Sequence, residues 1–193
     1  MARVIEFLGM PKAGKSTAIE FAESYLKHAG KKVRVIYEGA RISPLDKSNR
    51  FNYNSWSFHN TLNRLMESRL DSYDFVLIDR GVFDHIAFGI AIETFCSERS
   101  IQIANEYYKL FSGLEDEAWL FGLPPEEAVR RERKHNPLLG RVFDLGFLSG
   151  LAESYRFVEK EILSRGIQLQ SFDGMKSIQK NQGWIKTFLE RGL

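Results

Sequence analysis

The sequence predicts an α/β fold: one domain on a five-stranded parallel sheet with helices on both faces. Three observations lead there. Short apolar and β-branched runs alternate with longer segments of helical period along the 193 residues. The run "DFVLIDR" is apolar without alternation, as suits the middle of a parallel sheet buried on both faces. The first apolar run breaks at "GMPKAGKS" and then resumes with helical spacing, so strand, tight loop and helix follow one another directly.

The elements follow in order. Val4 to Leu8 reads as a buried strand, and Lys15 to Ala29 as a helix ended by Gly30. Val33 to Tyr37 is a second strand. Residues 39 to 53 carry Gly, Pro, Ser and Asn and read as a loop. "SWSFHNTLNRLMESRL" spaces Trp56, Leu62, Leu65 and Met66 as a helix does. "DFVLIDR" is the third strand, and residues 82 to 112 form one long helix or two shorter ones. "AWLFGL" is the fourth strand, and "PPEEAVRRERKH" a helix with proline at its start. Asp144 to Arg165 is a long helix, "GIQLQSF" a fifth strand, and Ile178 to Leu189 a last helix. No repeat, low-complexity tract or linker divides residues 1–193, so a single domain is expected.

Composition narrows the function classes. Apolar residues make up 44% and charged residues 27%, values that give one domain a sizeable core. A net charge of only +2 argues against a nucleic-acid partner. The single cysteine, Cys96, excludes an intramolecular disulfide framework and suits a reducing compartment. Phe95 and Cys96 read as core. No apolar run approaches the roughly 18 residues of a membrane span, so no membrane partner is expected. The N-terminus runs straight into the first motif and does not read as a signal peptide, which makes a cytoplasmic location the expectation. His28, His59, His85 and His135 show no metal-ligand spacing.

The sharpest motif is Gly9-Met10-Pro11-Lys12-Ala13-Gly14-Lys15-Ser16, which fits G-x-x-x-x-G-K-[ST] between a strand and a helix. Glycines let the backbone curl so that N–H groups converge on phosphate oxygens, and the helix N-terminus favours the same anions. Lys15 can reach the β- and γ-phosphates of ATP, and the Ser16 hydroxyl can ligate Mg²⁺. Gly9, Pro11, Lys12, Ala13, Gly14, Lys15, Ser16 and Thr17 are therefore the expected ATP-binding residues, with Arg130 joining them from the later helix. The bland alternative is an ordinary glycine turn.

Other candidates stand at strand ends, where such sheets form their ligand crevice. Asp79 can hold Mg²⁺ through water or bind substrate. Arg80 can clamp a phosphate or a substrate oxygen, and the alternative is a surface Asp–Arg pair. Glu38 can take the proton of an attacking hydroxyl or hydrogen-bond a sugar, and Arg41 can hold an acidic acceptor group. Both also fit a solvated loop pair. In the helix after the fourth strand, Glu126 and Glu127 precede Arg130 and Arg131 by four residues, a favourable surface pairing. Arg133, Lys134 and Arg141 lack such partners and suit a lid, at about residues 124 to 143, that closes on transferring phosphates. Trp56, Phe58 and Phe51 either stack on an acceptor base or form core under their helix.

Taken in order, "GMPKAGKS", "YEGAR", "LIDRG", "LPPEEAVRRERK" and "SFDG" resemble the nucleoside and nucleoside-monophosphate kinase group of P-loop proteins, thymidylate and deoxynucleoside kinases most. The resemblance implies a P-loop NTPase fold of three layers, strand order 2-3-1-4-5 and a lid after strand four. It implies Glu38 as acceptor-side base or sugar contact, Arg80 as substrate clamp, Arg130 to Arg141 as lid, and Asp173 and Gly174 beside the adenine. Lys15, Glu38, Asp79, Arg80, Arg133 and Arg141 are then the catalytic candidates. Glu38, Arg41, Trp56, Phe58 and Arg80 are substrate contacts, and Ser16 and Asp79 metal ligands. The chain departs from the group in two places. A typical thymidylate kinase has Glu-Pro-Gly-Gly after strand two and Asp-Arg-Tyr after strand three, where this chain has Glu-Gly-Ala-Arg and Asp-Arg-Gly. A deoxynucleoside kinase more often has Glu-Arg-Ser after strand three. Glu-Gly-Ala-Arg also resembles the ribosylnicotinamide kinases.

The expected activity is transfer of the ATP γ-phosphate to a nucleoside, nucleoside monophosphate or related metabolite. A nucleotide-dependent switch or regulatory ATP-binding module is the alternative. The guanine-reading Asn-Lys-x-Asp of GTPases is absent. "FLSGLAES" resembles a transporter-ATPase signature, without the length or the paired Asp-Glu of that class. The apolar helices within 82–112 and 144–165 offer surfaces for a homodimer.

Overall fold

The computed structural model describes residues 2–39, 42–46, 48–92, 113–134 and 144–191, together with 98, 102, 105, 106 and 109. Its strands are β1 (Arg3–Gly9), β2 (Val33–Ile36), β3 (Phe75–Asp79), β4 (Glu117–Gly122) and β5 (Gln168–Asp173). They form one sheet in the order β2-β3-β1-β4-β5, and every neighbouring pair is parallel. The described helices are α1 (Lys15–His28), α2 (Arg50–Ser68), α3 (Val82–Ile92), α4 (Pro125–Arg133), α5 (Leu145–Ser164) and α6 (Ile178–Glu190). None is long and apolar enough to cross a membrane.

The order puts β1 in the centre, which explains its apolar residues on both faces. On one face Val4, Val76, Ile78 and Ile36 pack with Leu65 of α2. On the other, Ile5, Phe7 and Leu77 join a larger core with Ile19 and Leu26 of α1 and Ile185 and Leu189 of α6. An aromatic ladder runs across this second face. Phe7 opposes Trp119 in register, and Phe121 opposes Phe172. Their ring centroids lie 5.0 and 4.6 Å apart, and Phe188 of α6 closes edge-on over Phe172. Each such pair adds about 0.5–1.5 kcal/mol beyond its area burial. The ladder fixes β1, β4 and β5 at the end of the sheet where the loops converge.

Helix boundaries follow their caps. The Asp144 carboxylate accepts from the Phe147 N–H at 2.9 Å and starts α5. Asn49 accepts from the Asn52 N–H at 3.0 Å, so α2 starts at Arg50, five residues before the reading from helical period. The loop expected over 39–53 is accordingly shorter. Within 82–112, α3 covers Val82–Ile92; Phe95 and Cys96 lie outside the described residues.

Candidate functional site

The loop between β1 and α1 is curled by three residues in the left-handed region: Gly9 (φ 125°), Lys12 (φ 62°) and Gly14 (φ 101°). Such turns bring neighbouring N–H groups toward one point and suit an anion. At Gly9 a side chain is excluded twice, because the backbone is left-handed and a Cβ would overlap the Phe121 carbonyl oxygen. Lys15 opens α1 and is buried, with its Nζ donating to the carbonyls of Gly9 (2.7 Å) and Met10 (3.0 Å). Burial, with Arg80 nearby, lowers its pKa from 10.5 to about 8 against the pull of Asp84, Asp79 and Glu38. Pro11 and Ala13 are buried in the loop, whereas Ser16 and Thr17 are exposed.

Asp84, in the first turn of α3, organises the next layer. It is fully buried. Its Oδ1 accepts from the Gly9 N–H at 3.0 Å and lies 2.6 Å from the Tyr155 hydroxyl, and its Oδ2 accepts from Arg80 Nη1 at 2.6 Å. Burial pushes the Asp84 pKa up, but Arg80, Lys15 and these hydrogen bonds outweigh it and hold the group below its ordinary value. The same Tyr155 hydroxyl stands 2.9 Å from the Gly9 carbonyl, so α5 touches the loop at the carbonyl that Lys15 uses. Arg80 follows β3 in the left-handed conformation (φ 66°). Its Nε lies 3.2 Å from Glu38 Oε2, and its guanidinium covers the Phe88 ring at 4.8 Å. Two carboxylates and a ring fix the side chain, which is how a strained backbone angle persists.

Beneath α3 lies a carboxyl pair. Glu6, pointing from the middle of β1, accepts from the N–H groups of Gly81 (3.0 Å), Phe83 (2.9 Å) and Asp84 (2.7 Å). Glu115 accepts from the Val82 N–H at 3.1 Å. Together they occupy the exposed donors of the helix start, where its dipole favours negative charge. Burial, then the neighbouring carboxyl, raises the Glu6 pKa; burial also raises that of Glu115. A Cβ at residue 81 would come within 2.5 Å of Glu115 Oε1 and 2.8 Å of Glu6 Cδ, which explains glycine after Asp79-Arg80.

The far side of the loop meets α4. Glu127 accepts from both Arg130 (2.5 and 2.7 Å) and Arg131 (2.7 Å), and these bonds lower its pKa to about 2. Arg131 does more than pair on the surface. Its Nη1 donates to the Lys12 carbonyl at 3.0 Å and its Nη2 to the Gly174 carbonyl at 2.9 Å, so it clasps the loop to the segment after β5. Lys12 adds an ion pair to Glu132 at 2.8 Å. A cavity of about 290 Å³ lies between these parts, lined by Gly14, Thr17, Arg131, Gly174, Ile178 and Asn181 among others. Arg130 and Arg133 are exposed on α4. Arg141, like Arg41 and His135, lies outside the described residues.

The structure thus brings Lys15, Glu38, Asp79 and Arg80 to one crevice at the carboxyl ends of β1, β2 and β3. Phe58 is placed in the core instead, with its ring edge toward His85; Trp56 is half-buried and Phe51 exposed. Ser16 and the buried Asp79 offer a hydroxyl and a carboxylate, the oxygen donors Mg²⁺ takes. Among the described residues no group of three or more His, Cys, Asp or Glu could hold a metal ion. Sequence reading missed Glu6, Asp84, Glu115, Tyr155 and the reach of Arg131. A carboxylate inside an apolar strand signalled Glu6, and the i,i+4 spacing from Arg80 signalled Asp84. No family model matches the chain, and no curated protein matches it.

Proposed function

We propose that the chain is an ATP-dependent phosphotransferase of the P-loop kinase type, moving the γ-phosphate to a nucleoside, nucleoside monophosphate or related small metabolite. One observation supports this most. A buried lysine on a curled glycine loop shares a crevice with a strand-end arginine and two candidate acid groups, Asp79 and Glu38. The loop N–H groups and the α1 N-terminus receive the phosphates, and Lys15 leaves its two carbonyls to meet the transferring group. Mg²⁺, held by Ser16 and Asp79, would neutralise charge on the phosphate oxygens. Glu38 accepts the acceptor's proton while Arg80 orients it. Arg131 stands beside the cavity that would take the base of ATP. The test is ADP release measured with and without a pool of candidate acceptors. The expected result is slow turnover alone, a rise with acceptor, and at least a roughly hundredfold loss in Lys15→Ala. A folded Lys15→Ala protein with near-normal turnover rejects the assignment.

A further inference from the structure

We infer that the acceptor is an uncharged, hydroxyl-bearing molecule held by hydrogen bonds, and not one that already carries a phosphate. This rests on the phosphotransferase reading and concerns the side of the crevice formed by the end of β2, α2 and the start of α3.

Arg80 places a guanidinium at that wall, and it is already engaged. Asp84 takes Nη1 at 2.6 Å, Glu38 faces Nε at 3.2 Å, and Phe88 covers one flat face. A phosphate monoester would have to displace one of two carboxylates to use it, and the surviving carboxylate would repel the newcomer.

The neighbouring polar groups point to the same chemistry. Asn54 Nδ2 donates to the His85 carbonyl at 3.0 Å, which turns Asn54 Oδ1 toward His85 Nδ1, also at 3.0 Å. An amide oxygen only accepts, so Nδ1 carries the hydrogen and Nε2 presents a lone pair. That Nε2 is buried without a hydrogen-bond partner, and the imidazole is kept neutral by burial. Asn60 Oδ1 and Ser57 Oγ, which close over Gly39 next to Glu38, are likewise buried and unpartnered. Buried polar atoms without partners are rare and call for an explanation. Glu38, His85 Nε2 and Asn60 Oδ1 all accept hydrogen bonds. They match O–H and N–H donors and repel phosphate oxygens.

The transfer balances for such a substrate. The acceptor hydroxyl oxygen bonds to the γ-phosphorus, the bond from that phosphorus to the bridging oxygen breaks, and its electron pair leaves on ADP. The hydroxyl proton passes to Glu38 and then to water.

The experiment uses the full chain with MgATP and compounds in matched pairs: nucleosides with their 5′-monophosphates, and simple sugars with their phosphates. ADP release is followed for each member, and ATP binding is measured separately by titration calorimetry. At least one hydroxyl member should raise turnover tenfold or more over ATP alone, with its phosphorylated partner well below it. His85→Phe should then raise the KM for that acceptor severalfold while the KM for ATP stays put. A phosphorylated member preferred over its hydroxyl partner overturns the inference. So does silence across the hydroxyl members while a phosphorylated member is turned over. Failure to bind ATP, or silence across both members of every pair, removes the phosphotransferase reading instead, so the two failures are distinguishable.

Discussion

At the scale of single residues, Tyr155 and His85 carry measurable consequences. The Tyr155 hydroxyl sits between Asp84 Oδ1 and the Gly9 carbonyl. Its one hydrogen goes to the nearer acceptor, the Asp84 carboxylate at 2.6 Å. Tyr155→Phe strips a donor from a buried carboxylate and should cost about 1–3 kcal/mol of stability, read by urea denaturation. It should also weaken ATP binding. An unchanged denaturation midpoint would show that the hydroxyl contributes nothing. His85 gives a pH test. Burial lowers its pKa from 6.5 to about 4. Below pH 6.5 the unfolded chain takes a proton that the folded chain refuses until about pH 4, so stability falls as pH drops through this window. The loss is about 3 kcal/mol at most. Glu6 and Glu115, whose raised values act with the opposite sign above their ordinary range, overlap this window. The difference between the parent and His85→Gln isolates the histidine, and the variant should lose less stability between pH 6.5 and 4. None of this was legible in the sequence, because Tyr155 and Gly9 are 146 residues apart and His85 has no motif around it.

At the scale of elements, the start of α3 and the face of α4 matter most. Gly81 lies against two buried carboxyl groups, so Gly81→Ala must displace Glu115 and Glu6 or the helix start. Overpacking of this kind costs about 1–3 kcal/mol, measurable by chemical denaturation. An alanine tolerated without loss would mean that the carboxyls move easily. The sequence showed glycine here only as a departure from a familiar motif. The reason lies in a glutamate on β1 and another before β4, brought together by strand order. On α4, helical spacing correctly paired Glu127 with Arg131, while Arg130, expected opposite Glu126, turns to Glu127 as well. It did not show that Arg131 also reaches Lys12 and Gly174, since such contacts depend on how α4 docks. Arg131→Ala should therefore weaken ATP binding about tenfold, while Arg130→Ala stays within about twofold. Calorimetry on both variants decides it, and equal effects would make Arg131 a surface pair like its neighbour.

For the molecule as a whole, alternating strand and helix patterns were enough to give the sheet's class, and the resemblance of short motifs implied its order. The unbroken apolar run of β3 marked it as a middle strand, because a strand covered on both faces can be apolar throughout, and β1 read as buried. Chain reversals were less legible where a polar side chain, such as Asn49, set the boundary. A ligand seated across β1, α1, β3 and α4 ties most of the fold together, so binding should be visible in its melting. At a hundredfold excess over Kd, ATP with Mg²⁺ should add about 2.7 kcal/mol, which raises Tm by roughly 5–11 °C for a chain of this size. The shift should vanish in Lys15→Ala; a persistent shift would place the nucleotide elsewhere. The contact between Gly9 and Tyr155 also sets an order of events in time. The loop is synthesised well before its partner on α5, and its first glycine meets its tyrosine only 146 residues later. At about 5–20 residues per second, that wait is roughly 7–30 s. During it the nascent chain carries the complete loop sequence without the α5 contact that fixes its first glycine, so a shortened chain ending before α5 would have the motif and lack its finished shape.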